Sequence, residues 1–154
     1  MIKRALTKSL GITLGLSLIA VAGAGQAQAA DPGVSKDKVV IGTTTPLTGP
    51  AAPGYKDVSA AAKAYFDYVN ANGGVNGRQI EFVIKDDQYN PATTVTATNE
   101  LINQNKVFAL FGALGTANRV AVAETLKAQN VPDVFINSGS SIFDNTSKYP
   151  GVFP

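Results

Sequence analysis

The 154 residues include 13 Lys and Arg against 11 Asp and Glu, and no Cys, His or Trp. Without Cys there can be no disulfides, thiolate nucleophiles or zinc-thiolate sites, and without His the usual acid/base group near neutral pH and most metal sites are gone. Much enzyme chemistry is excluded at once, no cofactor or metal is expected, and the chain is read as a non-enzyme.

Lys3, Arg4 and Lys8 open the sequence, and Leu10 to Gly23 then runs uncharged through Ile12, Leu14, Leu16, Leu18, Ile19 and Val21 to a close at Ala27-Gln28-Ala29. The apolar run is shorter than the roughly 20 residues of a bilayer span, and small residues stand where a signal peptidase cuts. Residues 1–29 are therefore expected to be a cleavable signal peptide rather than an anchor. With no cysteine for lipidation, the mature form is expected to be periplasmic or secreted and not membrane-inserted. Taking the three signal cations from the 13 leaves ten against 11 acidic residues, scattered along the chain, so nucleic acid is not an expected partner.

Residues 30–37 form a polar leader with Gly and Pro. Lys38 to Thr44 reads as a buried strand, and Ser59 to Asn72 as a helix whose buried face is expected at Val58, Ala61, Ala62, Tyr65, Tyr68 and Val69. Asn72-Gly73-Gly74 stops that helix and Asn76-Gly77 adds a turn. Gln79 to Ile84 alternates polar with apolar residues and predicts a strand ending in Lys85-Asp86-Asp87.

Asn90-Pro91 is a helix N-cap followed by proline at the first helical position, with Val95, Ala97, Leu101 and Ile102 turned inward. Val107 to Phe111 is a wholly apolar strand of the kind found in the middle of parallel sheets. Thr116 to Gln129 predicts a third helix with Val120, Ala121, Ala123, Leu126 and Ala128 inside, and Val131 to Ile136 a fourth strand. Asp144 to Pro154 is polar and turn-rich, with no closing helix, which suggests a fragment. Strands alternating with helices predict an α/β fold, a three-layer open parallel sheet.

In such sheets ligands sit at the carboxyl ends of the strands. Three segments are expected to converge there: Thr43 to Pro50 with Tyr55, Gly112 to Asn118, and Asn137 to Ser141. They offer hydroxyls and backbone amides but no catalytic base, which suits binding better than turnover. Thr116 is expected at an N-cap, either as a structural cap or as a donor to a ligand oxygen. The first turn after it contains no Asp or Glu, so an anionic group such as an α-carboxylate could take that place. Tyr55 could stack on a ligand or simply begin the first helix, and Ser138 to Ser141 could be a plain loop. Gly112-Ala113-Leu114-Gly115 lacks the third glycine of a dinucleotide motif and the lysine of a phosphate loop. Asp86 and Asp87, adjacent on a strand, should diverge, and they read as a solvated strand end.

The stretches VVIGTTTPLTGPAAPGY, AAAKAYFDYVNANGGVNGRQIEFVIKDDQYNPATTV, VFALFGALGTANRVAV and VPDVFINSGSS resemble, in order and spacing, the leucine/isoleucine/valine-type substrate-binding proteins of ABC importers, with their type I periplasmic fold. The resemblance implies a bilobed receptor that closes on an amino acid or similar small polar carboxylate and hands it to an ABC permease. It places a ligand carboxylate at Thr116 with backbone at Leu114 and Gly115, an ammonium at Gly139, Ser140 and Ser141, and a first-loop contact at or near Tyr55. Residues 38–154 would be the N-terminal lobe, with the second lobe, which supplies much of the pocket, absent. A ligand-sensing module of a signalling system is the alternative on the same fold.

Overall fold

A computed structural model describes residues 31–154, and the expected signal peptide lies outside the described residues. Three helices and five strands follow in the order β1 (Lys38–Thr45), α1 (Ala52–Ala71), β2 (Gln79–Asp86), α2 (Pro91–Asn103), β3 (Ala109–Phe111), α3 (Thr116–Ala128), β4 (Asp133–Val134) and β5 (Val152–Phe153), with a 3₁₀ turn at Ser141–Asp144 before the last strand. All pairings between the named strands are parallel and the sheet order is β2-β1-β3-β4-β5. Each helix supplies the crossover that a parallel neighbour requires. The apolar third strand is central, as expected.

Adjacent strand residues point to opposite faces, and Leu110 and Phe111 show what covers each. Leu110 belongs to a cluster with Val40, Val107 and Val131 under Leu101 and Ile102 of α2 and Val122 and Leu126 of α3. Each fully buried aliphatic chain there contributes about 1.5–3 kcal/mol. Phe111 faces α1, where Phe66 meets Phe82 at 5.2 Å and Phe111 at 5.3 Å between ring centroids. Helices thus lie on both faces, giving the three layers expected.

The predicted helix ends are largely met. Asn90 Oδ1 accepts from the N–H of Ala92 and Thr93, and Gly73 and Gly74 take φ of 99° and 72° after α1. The first helix, however, begins at Ala52 rather than Ser59, because Pro53 falls in the first turn, where its fixed φ suits a helix and its missing N–H costs nothing.

Two buried faces differ from expectation. On α1, Val58, Ala61, Tyr65 and Tyr68 are exposed, and the inward face runs through Ala52, Ser59, Ala62, Phe66 and Val69. On α3, Val120, Ala121 and Ala128 are exposed, and the buried set is Asn118, Arg119, Val122, Ala123 and Leu126. Two polar residues occupy core positions there because each finds a buried partner, and the helix is rotated accordingly.

β4 is shorter than expected, and the tail is more than turns. Val152 pairs with Asp133, and Phe143, Tyr149 and Val152 form a second apolar cluster with Ala123 and Ile136. The leader also packs: Val34 bridges antiparallel to Val39, and a Cβ on Gly33, at φ 72°, would lie 2.4 Å from the Lys106 carbonyl oxygen. No helix among the described residues is long and apolar enough to cross a membrane.

Candidate functional site

The chain steps from β1 to β2 on one side, then crosses back to lay β3 on the other side of β1. In open α/β sheets such a reversal is where ligands bind, outside the carboxyl ends of the strands. Of the candidate residues, Leu114, Gly115 and Thr116 follow β3 and Gly139, Ser140 and Ser141 follow β4, while Tyr55 lies within α1.

The loops after β3 and β4 are zipped together. Leu114 bridges in parallel to Asn137, the Gly115 N–H donates to the Asn137 carbonyl at 3.0 Å, and the Asn137 N–H donates to the Ala113 carbonyl at 2.9 Å. This register brings Thr116 Oγ1 to 2.7 Å from Ser138 Oγ, and Ser138 Oγ also accepts from the Ser140 N–H at 3.3 Å. Leu114, Gly115, Thr116, Ser138 and Ser140 are therefore held as one unit. Leu114 turns its side chain into the core and offers only backbone.

The expected N-cap is displaced by one residue. Gly115 is the cap of α3, at φ 99°, with no side-chain capping bond, and Thr116 is the first helical residue. Its hydroxyl is engaged by Ser138 instead of by the helix. The first turn contains no acidic side chain, and its leading N–H groups have no intrahelical acceptor. Attraction of an anion to such a helix start is worth about 0.3–1 kcal/mol on an exposed surface and more when partly buried.

Two buried networks hold this helix start in place. Asn118 Nδ2 donates to Thr94 Oγ1 at 2.7 Å, and Thr94 Oγ1 donates to Asp87 Oδ2 at 3.0 Å, all three residues being almost wholly buried. Arg119, also buried, donates to Thr44 Oγ1 at 2.7 Å and to Asp133 Oδ2 at 3.2 Å, tying α3 to β1 and β4. Burial pushes the Asp133 carboxyl above its ordinary range, against the opposing pull of the Arg119 charge and hydrogen bond.

Asp86 and Asp87 diverge as expected, but only one is near solvent. Asp87 is fully buried rather than part of a solvated strand end, because the loop after β2 folds back over it. Asp86 clamps the loop after β1: it accepts from the N–H of Leu47 at 3.0 Å, the N–H of Thr48 at 3.3 Å, the Thr48 hydroxyl at 2.5 Å and the N–H of Gln88 at 3.0 Å. Partial burial works against its ionisation, but these bonds, the Thr48 hydroxyl foremost, outweigh it and hold the carboxyl below its ordinary value.

Tyr55 lies in the first turn of α1, 39% exposed, and none of the aromatic contacts among the described residues includes it. Gly139 is exposed, and a Cβ on it would meet nothing within 4 Å. Ser140 Oγ caps the 3₁₀ turn through the Ile142 N–H at 3.4 Å, and Ser141, exposed, begins that turn. A recess of about 30 Å³ between α1 and the sheet is lined by Thr43, Thr45, Ser59 and Gly112, while two larger recesses, of about 230 Å³ each, lie beside Val131 and Asn130, below the opposite edge of the sheet. Sequence reasoning missed Asp86 as a clamp and Tyr89, whose ring packs on Gly115. The acidic pair reads as a solvated strand end, and nothing local shows that the loop between it and Asn90-Pro91 folds back onto the loops after β1 and β3.

Residues 38–154 match a family model described as periplasmic binding protein. The chain is 30% identical over 103 residues to an amino acid binding protein of Pseudomonas aeruginosa, an alignment covering 67% of this chain and 27% of that relative. The chain thus spans about a quarter of that protein's length. Among solved structures, a branched-chain amino acid transporter substrate binding protein from Streptococcus pneumoniae, in complex with isoleucine, superposes with a TM-score of 0.69 at 25% identity, over 76% of this chain and 33% of that one. A fatty acid ABC transporter substrate-binding protein from Thermomonospora curvata gives 0.63 at 33% identity, over 71% and 27%.

Proposed function

Because the chain belongs to the periplasmic binding protein family, we propose that it serves outside the cytoplasm as a receptor for an amino acid or similar small carboxylate, which it delivers to the permease of an ABC importer. The N–H groups at the start of α3 and the Thr116 hydroxyl take the ligand carboxylate. The Gly139 carbonyl and the hydroxyls of Ser140 and Ser141 take an ammonium where the ligand has one, and Tyr55 flanks the entrance.

The observation that carries this reading is the Thr116–Ser138 pair, 2.7 Å apart, beside a helix start with no acidic neighbour. In a pair of hydroxyls one proton is used between the two oxygens, so the second remains free to donate outward. An anion therefore meets a donor and a positive helix end together. The names of the relatives, which bind an amino acid, isoleucine and a fatty acid, share a carboxylate.

Thermal melting of the protein against amino acids and simple carboxylates tests the reading. A ligand at one hundred times its Kd should stabilise the fold by about 2.7 kcal/mol. A panel of branched, aromatic, acidic and amide amino acids together with fatty acids that leaves the melting curve unmoved refutes it.

A further inference from the structure

Tyr89, in the loop between β2 and α2, is held in a conformation that bulky side chains avoid. Gln88 and Tyr89 have φ of 54° and 57°, in the left-handed region. Asp87 keeps the turn there, with Oδ1 accepting from the Tyr89 N–H at 3.0 Å and Oδ2 from Thr94 at 3.0 Å. The ring then rests on Gly115, where a Cβ would come within 2.7 Å of its Cε2. Yet Tyr89 is 46% exposed. About half of the side chain is therefore open to solvent, and an unusual backbone presents it beside Gly115, which is bonded directly to Thr116. Unusual backbone of this kind concentrates where ligands are held.

Resting on the carboxylate shelf described above, we propose that Tyr89 is a specificity-determining residue. Consecutive Cα atoms are about 3.8 Å apart, so a carboxylate at Thr116 places whatever follows it within reach of the ring. The exposed ring surface forms an apolar wall for that part of the ligand. It favours carboxylates bearing aliphatic or aromatic bulk over those bearing none, because only the former bury surface against it.

Titration calorimetry of the full chain with L-phenylalanine, L-leucine, octanoate and glycine tests the proposal. Tyr89→Ala should weaken the acids with apolar bulk about tenfold and leave glycine within twofold, while Tyr89→Phe, which keeps the wall, should behave as the parent. Equal losses for glycine and the others would make Tyr89 a support for the loop only, and no loss for any acid would remove it from the site. A second measurement does not depend on the alanine variant folding. The chain has no Trp, so Tyr89→Trp introduces a single indole whose emission should shift with the saturation seen by calorimetry; heat without a spectral shift overturns the proposal. If the parent protein gives no heat with any of the four, Tyr89 selects none of these acids and the proposal is overturned, while the shelf itself stands or falls with the wider melting panel.

Discussion

Replacing Thr116 with valine removes one oxygen and adds one methyl while keeping a β-branched residue at the first position of α3. Because the cap of that helix is Gly115 and no capping bond runs through the Thr116 side chain, the helix itself should be little affected. Stability should fall by the bond to Ser138, about 0.5–1.5 kcal/mol for a neutral hydrogen bond. Binding should suffer more. A hydrogen bond to an ionised carboxylate is worth about 1.5–3 kcal/mol, which at 1.4 kcal/mol per decade is a loss of roughly ten- to hundredfold in affinity. Ser138→Ala should cost less, since it orients Thr116 rather than holding the carboxylate, and the double variant should lose less than the sum of the two, because the residues act as a pair. Calorimetric titration with the best ligand of the panel gives the affinities, and urea unfolding of the same samples gives the stabilities. Undiminished affinity in Thr116→Val would refute the reasoning.

Asp86→Asn should loosen the loop after β1 and cost about 1 kcal/mol: Oδ1 can still accept from the N–H groups of Leu47, Thr48 and Gln88, but the amide nitrogen that replaces Oδ2 cannot accept from the Thr48 hydroxyl, and the charge that strengthens all four bonds is gone. Its folded pKa lies below the ordinary 3.8, so the contribution of Asp86 to stability is present above that value and is lost as pH falls through the folded pKa. Asp133 has the opposite sign: its folded pKa is raised, so its contribution is present at low pH and declines as pH rises from 3.8 through the folded value. Acid titration of stability should therefore lose the low-pH fall in Asp86→Asn and the opposing trend in Asp133→Asn, and unchanged profiles in both would refute these assignments. Arg119→Met should destabilise by about 3–5 kcal/mol, by leaving Asp133 buried and unpaired, and Arg119→Met with Asp133→Leu should recover much of that loss in urea melts.

Several local signals are legible in the sequence, although the pattern places the start of α1 at Ser59 rather than at Ala52, where Pro53 marks it, and the cap of α3 one residue late. Asn90-Pro91 announces a cap because the cap and the N–H groups that donate to it are within three residues of each other, and Gly73-Gly74 ends α1 by backbone freedom alone. Arg119 could not be placed in this way. Its partners are 14 and 75 residues distant, so a charged residue that the periodicity sets outside lies at the centre of the fold. The same holds for Asp87 and Asn118, which are 31 residues apart. On α1 the error was one of residue type: Tyr65 and Tyr68 tolerate water, while Phe66 between them takes the inward position against two other phenylalanines. In the site, convergence of the loops after β3 and β4 followed from topology, whereas the Thr116–Ser138 pairing depended on a register between loops that no spacing rule supplies.

The ladders of the sheet are unequal: β1 and β2 are paired along eight residues each, whereas β4 and β5 meet along only two. Amide hydrogens on the β1–β2 side should be the last to exchange with deuterated water, and those on the β5 side the first, so the domain has a firm half and a breathing half. The Thr116–Ser138 contact crosses the seam between them. A guest held at once by α3 and by the loop after β4 would act as a staple across that seam, so part of its binding free energy would be read out as slower opening of the far edge.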